Sequence, residues 1–301
     1  MHKLAHKIKE LGWRRIAFSL VVLAYLGFLG VINVMMFLPG NWLSTMGHFD
    51  FIYTGDTHNL IHELVFTLIV GTAAVGLLSQ LWKPKENSAG QLVALIAWVV
   101  MILTATITNN WIPQPLFIIF GGLTLLATIL HPVGRNLFNW FSVTKINRIL
   151  LILVIIAAVP LFMFASTNIG LQTTSGETAG FFGHNPPAFH GGTDTPSMDS
   201  GGVIMDDEAT HDQEHVAVGH YRNMAVLSFI VILIGVLASF RPKGWRLAAW
   251  VAGSLPILFG FASVVLPSAE SSLGVAWGIA AIVWGIVFIS VAEVARRKEL
   301  K

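Results

Sequence analysis

Residues 62–84 read HELVFTLIVGTAAVGLLSQLWKP, a histidine and an acid followed by a long apolar run that ends in a Lys-Pro pair. A helix needs about 20 apolar residues to cross the hydrocarbon core of a bilayer. This stretch is therefore predicted to be a transmembrane helix that begins at His62 and ends near Pro84.

The same pattern occurs again at residues 220–242, HYRNMAVLSFIVILIGVLASFRP. In both stretches the proline stands 22 positions after the histidine, and the preceding apolar segment ends in an asparagine, Asn33 or Asn168. We interpret this as an internal repeat of two four-helix units, residues 1–140 and 141–301, in the same orientation. Parallel repeats of this kind occur in membrane proteins, with sites at the repeat interface.

The composition of the whole chain agrees with a membrane protein. Of its 301 residues, 54% are hydrophobic and 11% charged, whereas soluble domains carry about 25% charged residues. The absence of cysteine excludes disulfides and thiolate metal sites. The predicted class is all-α, a polytopic protein with eight transmembrane helices, at roughly 16–38, 60–82, 91–109, 113–131, 147–168, 222–240, 247–266 and 272–293.

The basic residues indicate how these spans are oriented. With eight spans, 17 of the 18 Lys and Arg residues fall on one side, and only Arg222 lies elsewhere. The positive-inside rule then predicts cytoplasmic N- and C-termini and a multi-pass protein of the cell membrane. The basic groups lie at residues 3–15, 83–85, 135–148, 241–246 and 296–301. Since topology explains them, the lipid bilayer is the expected partner, nucleic acid is not, and another membrane subunit stays open.

The opposite face is acidic and rich in histidine. Segments 39–57 and 169–219 hold ten acidic residues and no Lys or Arg. Residues 169–219, rich in Gly, Ser, Thr and Asp, are predicted to form a long external loop. Eight of the eleven histidines lie on or at the edge of this face.

The spacing of these histidines suggests a metal site. His58 and His62 are four positions apart and share a helix face, and His211 and His215 have the same spacing. Neutral imidazole is the commonest protein ligand of transition metals such as Zn, Cu and Fe. We predict a histidine-lined site at the outer face, for metal handling or redox chemistry. The candidate ligands are His58, His62, His211, His215, His220, Asp56 and Glu63.

Two alternatives stay open. Two fused four-helix units with helix-borne histidines resemble the architecture of haem A synthases. That resemblance implies a haem-binding or quinone-linked electron-transfer protein, with His62 and His220 as axial haem ligands. The chain departs from this pattern because its fourth span begins without a histidine and its eighth ends in Glu293. The other alternative is a non-catalytic membrane scaffold or accessory subunit.

No catalytic residue can be assigned from the sequence. There is no G-x-S-x-G, H-E-x-x-H or P-loop motif. No Lys lies mid-span, which excludes a retinal Schiff base, and no mid-span Asp or Glu argues against a proton-coupled pump. His131, at the inner end of the fourth span before Pro132, is expected to be a helix-end residue rather than a ligand.

Overall fold

The computed structural model describes residues 12–36, 60–111, 117–138, 146–174, 219–269 and 271–299. All regular structure within these ranges is helical. We number the α-helices in chain order: α1 Trp13–Met36, α2 Leu60–Leu78, α3 Ser88–Ile107, α4 Gly122–Leu130, α5 Arg148–Thr174, α6 His220–Phe240, α7 Trp245–Val265 and α8 Gly274–Glu299. A π-helical turn, Phe117–Gly121, leads into α4, and a 3-10 turn, Gly134–Phe138, follows it.

Seven of these helices are long and apolar enough to cross a membrane, which agrees with the predicted polytopic all-helical class. The exception is the fourth predicted span, 113–131, of which the structure describes a shorter apolar helix, Ile118–Leu130. Its start differs from the others because the chain enters it through the π-helical turn and two consecutive glycines, Gly121 and Gly122.

The fifth helix is longer than the sequence predicted. We expected it to end at residue 168 and the external loop to begin at 169, but α5 continues to Thr174. The extra turn is stabilised by α6, because the buried Gln172 side chain accepts a hydrogen bond from the backbone N–H of Arg222 (3.0 Å). The first residues of the predicted loop are therefore helical.

α6 is the central helix of the bundle. It packs against α2, α3, α5 and α7, and it is the most buried of the apolar helices. By contrast, α1, α5 and α8 leave most of their apolar surface uncovered, as helices facing lipid do. α7 and α8 approach closely through paired glycines, Gly253 with Gly285 and Gly260 with Gly278.

The segments that carry the basic groups meet at one end of the bundle, which we call the inner end. The Ala89 N–H donates to the Lys243 carbonyl (2.9 Å), and the Asn147 N–H donates to the Ser239 carbonyl (2.8 Å). These contacts join the start of α3 to the loop after α6, and the residue before α5 to the end of α6. The end that carries His62 and His220 is called the outer end below.

His131 organises the inner end. It follows α4 directly, is fully buried, and packs edge-on against Phe18 of α1. The Val133 N–H donates to its Nδ1 (3.2 Å), so Nε2 carries the proton and donates to Gln80 Oε1 (3.0 Å). Burial lowers the pKa of His131 to about 4, and the ring is therefore neutral at physiological pH. It closes a helix end, as expected from its position before Pro132.

Candidate functional site

The outer end of the bundle holds a pair of stacked histidines. The rings of His62 and His220 lie nearly parallel, with 4.4 Å between their centroids and 14° between their planes. Both side chains are buried, with exposed fractions of 1% and 8%. His62 is the third residue of α2 and His220 the first of α6. Packing of these two helices thus joins histidines that are distant in the sequence.

The start of α6 depends on a glycine. Gly219 precedes the helix with a φ of +78°, a left-handed conformation that glycine adopts without steric cost. A Cβ at this position would lie 2.9 Å from Cζ of Arg222 and 3.1 Å from Oδ1 of Asn110. Gly219 therefore lets the chain turn into α6 and leaves room for the arginine beneath it.

Arg222 is the largest fully buried side chain in the described part of the protein. Its Nη1 donates to the carbonyl oxygen of Asn110 (2.7 Å) and to Asn110 Oδ1 (3.1 Å), and its Nη2 donates to Asn223 Oδ1 (3.0 Å). Its backbone N–H is the donor to Gln172 described above. One residue thus ties α6 to the segment after α3 and to the end of α5.

A cation buried in a bilayer-spanning helix is costly unless its donors are satisfied. The Nη1 and Nη2 groups of Arg222 donate to amide and carbonyl oxygens, which a planar guanidinium is well suited to bind. Together with His62, His220, Gln172 and Asn223 it forms what we call the outer polar cluster. The cluster lies at the end of a bundle whose interior is otherwise mostly apolar.

The geometry of the histidine pair limits its chemistry. A metal ion binds imidazole in the plane of the ring, at about 2 Å from the nitrogen. Rings that overlap face to face do not share such a plane, so one ion cannot be bound by both until a ring turns. The separation of 4.4 Å also leaves no room for a porphyrin between the two rings. The stacked pair, as placed, is therefore not the axial ligand pair of a single haem.

The structure brings together two of the predicted ligands, His62 and His220. Among the residues that the structure describes, no group of three or more His, Asp or Glu side chains is close enough to hold a metal ion. Glu63 belongs to α2, but its side chain is not described. The remaining predicted ligands lie outside the described residues: His58, His211, His215 and Asp56.

Sequence reasoning missed the role of Arg222. One signal could have found it, because Arg222 was the single basic residue that the positive-inside pattern did not explain. Asn110 bonds between helices, as an acceptor from α6. Asn168 instead donates to the Phe164 carbonyl of its own helix (2.9 Å).

Comparisons with known proteins give no match, either to a protein-family model, to a curated protein or to a solved structure.

Proposed function

We propose that this chain is a multi-pass protein of the cell membrane with eight spans and both termini in the cytoplasm. Seven long apolar helices and the shorter Ile118–Leu130 supply the spans. The distribution of Lys and Arg supports the orientation. Two contacts support it further, one between the start of α3 and the loop after α6 and one between the residue before α5 and the end of α6, because basic residues flank both at one end of the bundle.

The proposed arrangement has two four-helix units, residues 1–140 and 141–301. Helix packing supports it: α2 packs on α3 as α6 packs on α7, and α2 contacts α7 as α3 contacts α6. An exchange of the two units would replace α2 by α6 and α3 by α7, and so would convert each of these contacts into its counterpart. His62 and His220, equivalent in the sequence repeat, meet where α2 and α6 come together.

The function proposed for the outer end is binding of a transition-metal ion. The observation that carries the proposal is the contact between His62 and His220, two buried imidazoles from different helices in a mostly apolar bundle. Neutral imidazole is an established ligand of Zn, Cu and Fe. We propose that these two residues are the core of the site. The flanking outer segments would complete it with His58, His211, His215, Asp56 and Glu63.

The acidic residues of the outer segments favour a cation over an anion at this face. Arg222 acts in the opposite direction, because it adds one positive charge near the histidine pair and so disfavours a metal ion. The two outer segments, 39–57 and 169–219, carry ten acidic residues and no basic ones. A bound cation is thus compensated if carboxylates such as Asp56 and Glu63 join the histidines. Metal handling or a redox reaction would follow from such a site.

Metal binding would change the histidine pair. Because stacked rings cannot both bind one ion in plane, one imidazole has to rotate about its Cβ–Cγ bond, a soft torsion with a broad energy minimum. Binding would therefore break the ring stack. A haem held between these two rings is less compatible with the structure, since the helices would have to separate.

Elemental analysis of the purified protein, with a visible spectrum, tests the proposal. We expect Zn, Cu or Fe in stoichiometric amount, no Soret band, and loss of the metal in both His62→Ala and His220→Ala. His190→Ala is the matched control, an outer-segment histidine outside the proposed ligand set, and should retain the metal. A Soret band would select the haem alternative. Absence of metal and haem, even after incubation with each ion, would leave a scaffold or accessory subunit.

A further inference from the structure

Two buried polar atoms lie in the core between α1, α3 and α4, away from the outer polar cluster. They are Oη of Tyr25 on α1 and Oε1 of Gln91 on α3, and both side chains are fully buried. Oε1 of Gln91 has no hydrogen-bond partner among the described residues, whereas the Tyr25 oxygen accepts from the indole N–H of Trp98, and only its hydroxyl proton lacks a described acceptor. Buried polar groups in folded proteins are nearly always satisfied by protein or by ordered water.

Both residues contact the segment that runs from Phe120 to Thr128. Tyr25 packs edge-on against Phe120 of the π-helical turn (4.9 Å between centroids), and Phe120 lies parallel to Trp98 of α3 (6.1 Å). Gln91 lies beside Thr124 and Thr128, and its Nε2 donates to Thr128 Oγ1 (2.8 Å). Phe120 and Thr124 are about one helical turn apart. We call the packing interface formed by Tyr25, Gln91, Trp98, Phe120 and Thr124 the α1–α3–α4 seam.

Turning the Gln91 amide over does not satisfy it. In the present orientation Nε2 donates to Thr128 Oγ1, whose own hydroxyl proton goes to the Thr124 carbonyl (2.8 Å). After a flip, the amide oxygen would face a hydroxyl that already donates elsewhere, and the NH2 group would replace the oxygen as the unsatisfied atom. The seam therefore needs an added partner in either orientation.

The backbone beside the seam is also irregular. Phe117–Gly121 forms a π-helical turn where Phe120 meets Tyr25. Such turns interrupt the regular hydrogen bonding of a helix and are frequent at functional positions. A Cβ on Gly121 would be in ordinary van der Waals contact with Trp98, at 3.8 Å.

The region around α5, α7 and α8 is built differently. There α7 and α8 are in direct backbone contact through their paired glycines. The indole N–H of Trp284 on α8 donates to the Leu153 carbonyl of α5 (3.0 Å). In this region the described helices pack in direct contact, and the indole N–H already has an acceptor.

We propose that the α1–α3–α4 seam binds ordered water molecules. A water beside Tyr25 accepts its hydroxyl proton, and a water beside Gln91 donates to Oε1. A buried water is stable when it finds two to four polar partners, and the hydroxyls of Thr124 and Thr128 offer further contacts. The seam is then a hydrated site in the interior of the bundle, separate from the histidine pair.

Replacing Tyr25 by Phe distinguishes a hydrated seam from a dry one. The substitution removes one oxygen and preserves the ring, so the variant should fold. Because the Tyr25 oxygen also accepts from Trp98, the substitution is made in a Trp98→Phe background, which removes that bond beforehand. If water takes the hydroxyl proton, the unfolding equilibrium constant in an SDS titration should then rise about two- to tenfold. If it does not, Tyr25→Phe should leave the Trp98→Phe protein equally stable or more stable, which would overturn the proposal. Ser166→Ala, an exposed hydroxyl on α5, is the control and should change little.

A second measurement detects the water directly. In NMR of 15N-labelled protein, magnetisation transfer from water to the side-chain amide of Gln91 should give a cross-peak, assigned by its loss in Gln91→Met. The cross-peak should weaken in Tyr25→Phe if the two waters are connected or exchange. A Gln91 amide with no transfer from water, in protein whose exposed amides show it, would contradict the proposal.

Discussion

Gly260 of α7 and Gly278 of α8 are in direct backbone contact. A Cβ built on Gly260 would lie 2.5 Å from the carbonyl oxygen of Gly278, and one on Gly278 would lie 2.8 Å from the carbonyl oxygen of Gly260. Small residues that allow close backbone approach are a principal source of helix association in membranes. This pair, with Gly253 and Gly285 about two turns away, fixes the α7–α8 distance.

Gly260→Ala should therefore destabilise the protein. The added methyl meets backbone rather than a flexible side chain, so the helices must separate, at a cost of about 1–3 kcal/mol. Gly27→Ala is the matched control, because no atom of the described residues lies within 4 Å of a Cβ at that position on α1. It should be neutral or slightly stabilising, since alanine favours the helix. SDS titration followed by circular dichroism measures both; equal effects would contradict the close contact.

Gly219→Ala tests the entry into α6. It combines a left-handed φ with a clash at 2.9 Å from Cζ of Arg222. Gly274, at the start of α8, has a φ of +69°, but in the part of the chain that the structure describes no atom lies within 4 Å of a Cβ there. Gly274→Ala thus isolates the conformational cost, about 1 kcal/mol. Gly219→Ala should cost about 1 kcal/mol or more beyond that. If the two variants unfold at the same SDS concentration, the guanidinium does not lie beneath Gly219.

Arg222→Lys should be strongly destabilising although it keeps the charge. Lysine cannot reproduce the fork that donates to Asn110 and Asn223, and hydrogen bonds to charged groups contribute about 1.5–3 kcal/mol each. The matched control is Arg246→Lys, a partly exposed arginine paired with Glu293, which should cost less than about 1 kcal/mol. Comparable losses in the two variants would argue against the buried hydrogen bonds of Arg222.

The inner end should be sensitive to pH. The pKa of His131 falls from 6.5 to about 4 on burial, so between these values the unfolded chain binds a proton that the folded chain does not. The stability contributed by neutral His131 is thus fully present above about pH 6.5. It is lost progressively as the pH falls to about 4, by roughly 3 kcal/mol in total. His131→Asn should reduce this slope between pH 7 and 4, and equal slopes would contradict the assignment.

The sequence predicted what depends on composition and spacing. Apolar runs identified the helices and placed His62 and His220 near the starts of two of them, where the structure brings the two rings into contact. The predicted role of these residues as metal ligands stays a prediction. The ends of elements were less predictable: α5 runs on to Thr174 because Gln172 is bonded to α6, a contact that local sequence does not encode.

The contacts of Arg222 could not be predicted for the same reason. Its partners come from the segment after α3, from α5 and from the next residue of its own helix. Only the folded bundle brings these together. The sequence showed that Arg222 was exceptional, without showing what it binds. The π-helical turn before α4 likewise has no signature in hydrophobic periodicity.

The most direct test of the histidine-pair site is a double-mutant cycle on metal affinity, measured by competition with a chelating dye. If His62 and His220 bind one ion, each Ala variant alone should weaken binding by about 100-fold or more, and the double variant should bind little more weakly than either. Independent effects that add in the double variant would contradict a shared ion. So would affinities in all three variants equal to that of the wild type.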